Sequence, residues 1–272
     1  MGQAGGVPTV DRELAPAKLT RSFRVTGRRA DGYHLVEAEM VALDFTDELE
    51  FTAGDGLEIV DAVSWIGARG ADSALFDVPI GENLVVRALE LAGRRAQVRL
   101  VKRIPPGAGL GGGSADAAAV LRWAGVEDLV VASRLGADVP FCLRGGRAVV
   151  RAIGEIVEPL APLAMTVVLV APPFGVSTAA VYGAFDEVGA PSPGSSTNDL
   201  EKAALTVEPR LAWFRDLLAE ISGQQASLAG SGATWFVECE PRDASRIAGD
   251  LRQAIGSAGR RAVVEVARAE LG

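Results

Sequence analysis

Histidine occurs once in this chain of 272 residues, and tyrosine and cysteine twice each. The two cysteines, Cys142 and Cys239, make neither a disulfide framework nor a metal-ligand spacing, so a structural zinc site is excluded. Both lie in apolar surroundings and read as core filler in a reducing compartment. Positive charge is also short: 27 Lys and Arg against 35 Asp and Glu give a formal charge of −8. Phosphate backbones reward a basic face, so nucleic acid is not an expected partner. A small anionic ligand, which needs only a local pocket, stays open. No apolar run is long enough to span a bilayer, and the most apolar one, "AMTVVLVAPPF" (164–174), reads as a buried strand. The start, "MGQAGGVPTVDREL", lacks the basic and apolar blocks of a secretory signal and reads as a frayed tail. A cytoplasmic protein without a membrane partner is expected.

Hydrophobic residues at 49% and charged residues at 23% fit a globular chain, with length for one large domain or two small ones. Strands are expected at 22–28, 34–43, 48–53, 96–103 and 146–152, with helices over 82–95 and from Ser114 to Trp123. The second half reads as a strand at 166–171, a helix from Ser177, helices over 198–205 and 208–221, and "SLAGSGATWFVE" (227–238) as strand, glycine turn, strand. A helix over 243–256 and a strand over 262–269 close it, and "APSPGSST" (190–197) is a loop. That order suggests an α+β sandwich, with a division near residue 160.

The feature that asks for an explanation is "PPGAGLGGGSADAAAVL" (105–121), with four glycines in the five positions 109–113. A turn needs one or two. Exposed amides running into a helix N-terminus make an anion site, because unpaired N–H groups and the helix dipole both favour negative charge. Triphosphate is the obvious candidate. No Gly-Lys-Ser/Thr closes the loop, as a Walker loop requires. It also lies mid-chain after several strands, unlike a dinucleotide-binding fingerprint.

The segment resembles the phosphate loop of the GHMP small-molecule kinases. "APAKLT" (15–20) and "LAGSGATWF" (228–236) resemble two further motifs of that superfamily, in the expected order. "RVTGRRADGYHLVEAEM" (24–40), "GADVPFCLRGGRA" (136–148), "GVSTAAVY" (175–182) and "NDLE" (198–201) are similar to one branch, the 4-diphosphocytidyl-2-C-methyl-D-erythritol kinases. The resemblance implies a two-domain α+β GHMP kinase fold, with a ribosomal-protein-S5-like part over 1–160 and a ferredoxin-like part over 161–272. It implies ATP and Mg²⁺ as cofactors, a substrate carrying a cytidine diphosphate moiety, phosphorylation of that substrate's C2 hydroxyl, and a monomer or homodimer.

Phosphoryl transfer to an alcohol asks for an aligned hydroxyl, a group to receive its proton, and positive charge over the phosphoryl. Asp138 in "GADVPF" is the expected proton acceptor, although an Asp there also suits a helix cap. Lys18, flanked by apolar residues, is its natural counter-charge. The nucleotide falls to Pro105, Gly107, Gly109, Leu110, Gly111, Gly112, Gly113, Ser114 and Ala115, with Asn83 near the adenine or simply capping its helix. Ser114 is the expected Mg²⁺ ligand and also suits an N-cap; Asp116 complements the helix dipole. The resemblance places the cytosine between the rings of Tyr33 and Tyr182, with His34 at its edge. Those three residues are the only histidine and both tyrosines of the chain. Thr178, one turn before Tyr182, shares its face and falls to the substrate, as do Gly230 and Ser231 of the late turn.

Two departures stand out. The family has Asn where Thr20 stands, which removes two N–H donors and places substrate affinity in question. The 114–136 segment is shorter than the family's. They leave open another GHMP kinase of homoserine or mevalonate type, whose substrates have no cytosine, or a non-catalytic nucleotide-binding relative.

Overall fold

The longest element is a two-stranded ribbon of β1 (Asp11–Arg28) and β2 (His34–Thr52), antiparallel along its length. It belongs to a computed structural model that describes residues 10–67, 79–191 and 196–269. Most of the expected frayed tail and the middle of the 190–197 loop lie outside those residues.

The ribbon is longer than the expected strands. Register shifts between Pro16 and Lys18, Thr20 and Ser22, and Val25 and Gly27 explain why. Each irregularity resets the alternation of inward and outward side chains, so one strand looks like fragments, and each re-aims the side chains beside it. Pro16, which cannot donate to a ladder, sits at the first of them.

After β3 (Gly56–Asp61), α1 (Leu84–Leu91) leads to β4 (Gln97–Lys102), which pairs with β3 in parallel. Then come α2 (Gly112–Trp123), α3 (Leu129–Ser133), α4 (Val139–Arg144), β5 (Arg147–Ala152) and β6 (Ile156–Pro159). The first sheet has the order β3-β4-β2-β5-β6, with β1 on β2. Neither β3 nor β6 was expected. Both are largely exposed edge strands without a buried face to impose a period.

The second half follows the expected order closely: β7 (Met165–Ala171), α5 (Thr178–Val188), α6 (Glu201–Val207), α7 (Leu211–Ser222), β8 (Ser227–Leu228), β9 (Trp235–Glu238), α8 (Pro241–Ser257) and β10 (Val263–Ala269). Its antiparallel sheet has the order β10-β7-β9-β8, a ferredoxin-like arrangement. Every residue of β7 is buried, as an unbroken apolar run requires of a central strand.

Two features position the site. Ala115, Ala117, Ala118 and Ala119 are buried in α2, and their small side chains let the helix lie close to β1 and α1. The "NDLE" segment ties the sheets together. Asn198 bridges to Phe23 of β1, and its side-chain amide donates to the Leu228 and Gly230 carbonyls at 2.8 and 2.7 Å. Asp199 accepts from the Val25 amide at 2.9 Å and from Arg24 at 2.7 Å. Among the described residues no helix is long and apolar enough to cross a membrane.

Candidate active site

The glycine loop borders a cleft of about 420 Å³. Pro105, Gly107, Gly109, Leu110, Gly111, Gly112, Gly113 and Ser114 line it, together with Asn83, Lys18, Asp138, Thr178 and Ser231. Only some of the glycines are explained by a ligand. Gly109 has φ +78°, and a Cβ there would stand 2.5 Å from the Gly232 carbonyl and 2.6 Å from that of Ala229. The loop therefore rests backbone to backbone on the late glycine turn. Gly111 has φ +67°, and a Cβ would meet Lys18 Cγ at 2.7 Å.

Gly111 is also the N-cap of α2, so the helix opens at Gly112 and Ser114 lies inside its first turn. The expected Ser114 cap is corrected: a left-handed residue cannot continue a helix, and the one here is Gly111. The amides of Gly112, Gly113 and Ser114 have no acceptor among the described residues, which leaves three donors and the positive end of the helix dipole facing the cleft. Ala115 differs. Its amide donates to the Gly111 carbonyl at 2.8 Å and its side chain is buried, so it closes the turn. Asn83 caps α1, accepting from the Val85 amide at 2.9 Å, while bordering the same cleft.

Lys18 is 5% exposed on β1, and its Nζ lies 3.3 Å from Asp138 Oδ2. Its backbone amide donates to the Leu110 carbonyl at 2.9 Å, which fixes β1 against the loop. Asp138 holds the N-cap position of α4 but makes no capping bond, and its side chain is 33% exposed. A carboxylate that neither caps nor is buried, facing a buried ammonium, is available to a ligand. Thr20 is buried, and its hydroxyl accepts from Lys18 Nζ at 3.2 Å. The residue that departs from the family thus steadies the lysine. Gly230, in the late turn, comes close to both: a Cβ there would lie 3.4 Å from Lys18 Nζ and 3.7 Å from Thr20 Oγ1.

Beneath the loop lies a cluster the sequence did not disclose. Lys102 Nζ donates to Asp116 Oδ2 at 2.6 Å and makes a very short contact with Asp47. Asp47 also accepts from the Arg103 and Ile104 amides at 2.5 and 2.8 Å. All three side chains are buried. Burial works against the Lys102 charge, but the two carboxylates outweigh it and its pKa is raised. Burial pushes Asp116 up to about 7, Lys102 opposing and Asp47 adding to the rise. The expected role of Asp116 as a dipole complement is corrected: its carboxyl turns down to Lys102. The signal was a lysine and an aspartate on neighbouring apolar elements, each too costly to bury alone.

At the other end, Ser177 caps α5, accepting from the Ala180 amide at 3.3 Å. Thr178 and Ser231 share a hydroxyl hydrogen bond at 2.9 Å, linking α5 to the late turn. The His34 ring stacks on Tyr182, centroids 4.8 Å apart and planes at 20°. Burial and then the Asp138 carboxylate push the Tyr182 phenol up to about 12. Thr178, one turn earlier on the same helix, borders the cleft, whereas Tyr182 and His34 do not line it. Tyr33 is 63% exposed and makes no ring contact among the described residues. The structure therefore joins His34 to Tyr182 and does not bring the two tyrosines face to face.

Comparison with known proteins agrees with this architecture. Residues 83–146 match the family model of the GHMP kinases N terminal domain. A 4-diphosphocytidyl-2-C-methyl-D-erythritol kinase of Paracoccus denitrificans is 38% identical over 248 residues, 85% of this chain and 87% of that relative. The chain belongs to this kinase family. The enzyme of the same description from Pelotomaculum thermopropionicum is 41% identical, over 82% of this chain and 87% of its own. A crystal structure of 4-(cytidine 5'-diphospho)-2C-methyl-D-erythritol kinase superposes with a TM-score of 0.72 at 32% identity, covering 96% of this chain and 100% of that one. The protein is a GHMP kinase, an ATP-dependent small-molecule kinase with two sheets in an α+β fold.

Proposed function

We propose that this kinase transfers the γ-phosphoryl of ATP to the C2 hydroxyl of 4-diphosphocytidyl-2-C-methyl-D-erythritol, in a cleft between parts 1–160 and 161–272. The observation that carries the reading is the Lys18–Asp138 pair at 3.3 Å, facing the unpaired amides of Gly112, Gly113 and Ser114 across one cleft. Those amides hold the phosphate tail at the helix N-terminus. Asp138 orients the alcohol and receives its proton as the oxygen bonds to phosphorus. The bond to the β-phosphate oxygen breaks in the same displacement, and ADP leaves. Lys18 offsets the charge on the transferring phosphoryl, held on line by Thr20.

Mg²⁺ belongs with the triphosphate. Among the described residues no group of three or more His, Cys, Asp or Glu side chains is placed to hold a metal ion. The Ser114 hydroxyl at the head of α2 fits an ion carried mainly by phosphate oxygens and water, and would be the chain's own ligand. When bound, the ion neutralises phosphate charge.

Tyr182, His34 and Thr178 take the cytidine end. A homoserine or mevalonate substrate would leave the His34–Tyr182 pair without a purpose, and the intact Lys18–Asp138 pair speaks against a non-catalytic relative. ADP release with the cytidylylated alcohol, homoserine and mevalonate compared side by side tests the reading. Turnover of the first alone is expected; turnover of homoserine or mevalonate instead, or of none, contradicts it.

A further inference from the structure

Helix α5 carries a ladder whose last rung, Asp186, has no part in the proposed reaction. Thr178, Tyr182 and Asp186 stand at successive four-residue steps, so their side chains share one face. Thr178 borders the cleft, and Tyr182 carries the His34 ring on its face. Asp186 Oδ1 lies 2.7 Å from His34 Nε2, and its Oδ2 lies 3.3 Å from Arg28. Phe185, between those rungs, meets the imidazole edge-on at 6.0 Å. Arg28 and His34 are cross-strand partners at the tip of the β1–β2 ribbon, so both reach the helix from one place. The imidazole is thus held on a face, on an edge and at one nitrogen.

The hydrogen bond to His34 and the nearby Arg28 charge keep the Asp186 carboxyl below its ordinary range, so it is an ionised acceptor. An acceptor-only group at 2.7 Å requires the proton of the bond to sit on Nε2. In the neutral ring Nδ1 then carries a lone pair, and no described residue bonds to it.

We propose that Asp186 is a positioning residue that fixes the His34 tautomer, so that Nδ1 accepts from the exocyclic amine of cytosine and selects against uracil. The inference rests on the cytidine reading of this site. Uracil carries a carbonyl at that position, which would set one lone pair against another and leave a polar contact unpaired.

The test compares kcat/KM for the cytidylylated alcohol and its uridylylated counterpart. Turnover of neither removes the functional reading itself. Turnover of the first with equal use of the second overturns the Asp186 inference alone. The wild type is expected to prefer cytidylyl by about ten-fold or more, the scale of one misplaced hydrogen bond. Asp186→Ala should bring that preference close to unity, with the loss falling on KM more than on kcat, and Asp186→Glu should restore part of it. An unchanged preference in Asp186→Ala contradicts the inference. Because the chain has a single histidine, a proton–nitrogen correlation spectrum of the wild-type imidazole at about pH 8 reads the tautomer without any variant. A proton on Nε2 is expected; a proton on Nδ1 overturns the inference.

Discussion

Two lysines flank the glycine loop, and each faces aspartate, yet they stand in opposite settings. Lys18 meets one carboxylate at 3.3 Å, and that partner, Asp138, is a third exposed to the cleft. Lys102 meets two, Asp47 and Asp116, and all three are buried, with Lys102 and Asp116 at the floor of the same cleft. The same chemical parts therefore do different work. The open pair leaves the Asp138 carboxylate accessible from the cleft, whereas the buried triad has one carboxylate oxygen, Asp116 Oδ1, with no hydrogen-bond partner among the described residues. A buried cluster with an excess negative charge props up the loop at a cost in stability. The two lysines are equally buried; the exposure of the carboxylate, not the residue type, separates the two settings.

Breaking the open pair should have the largest effect. Asp138→Asn is expected to lower kcat by roughly a hundred- to ten-thousand-fold, the range for losing a positioned acid–base group, with ATP affinity little changed. Steady-state kinetics beside nucleotide titration measures this, and unchanged turnover would remove Asp138 from the chemistry.

The closed triad should respond in stability, with the opposite sign. The folded-state pKa of Asp116 lies near 7 against an ordinary 3.8, so the native state binds more protons than the unfolded chain between those values. Wild-type stability therefore falls as pH rises through that window and is level above it. Asp116→Asn removes the excess charge and keeps an acceptor for Lys102. Its gain over wild type should be small near pH 3.8 and grow to about 1–4 kcal/mol by pH 7. Denaturant melts across that range check it. A gain that does not vary with pH would place the proton elsewhere.

Between the clusters, Gly109→Ala forces a Cβ against two carbonyls at a left-handed φ. A loss on the order of 1–3 kcal/mol in thermal unfolding is expected. A neutral result would mean that the loop does not rest on the late turn. An effect of similar size, read in binding rather than stability, belongs to the base end: Tyr182→Ala should raise KM for the cytidylylated substrate by a stacking contact, about 1–3 kcal/mol, and leave kcat nearly intact. Loss in kcat alone would separate Tyr182 from substrate binding.

Legibility follows the same division. The glycine loop and the α5 cap are local patterns, readable because neighbouring residues carry the whole signal, whereas the "GADVPF" aspartate by itself suits a helix cap and stands out only through the family resemblance. Asp47 and Lys102 are 55 positions apart, and His34 and Asp186 are 152 apart, so each pair exists only once the sheets are assembled. The ribbon was read as fragments because its bulges interrupt the period that marks a strand. β3 escaped notice because an exposed edge imposes no alternation. Five glycines of the loop are expected ligand contacts, yet Gly109 and Gly111 also answer to the chain's own backbone and to Lys18.

The most direct measurement is a crystal structure with a non-hydrolysable ATP analogue and the cytidylylated alcohol bound together. The account predicts the phosphate tail on the amides of Gly112 to Ser114 and the acceptor hydroxyl within hydrogen-bond distance of Asp138. A tail seated away from α2, or an acceptor hydroxyl remote from Asp138, would contradict it.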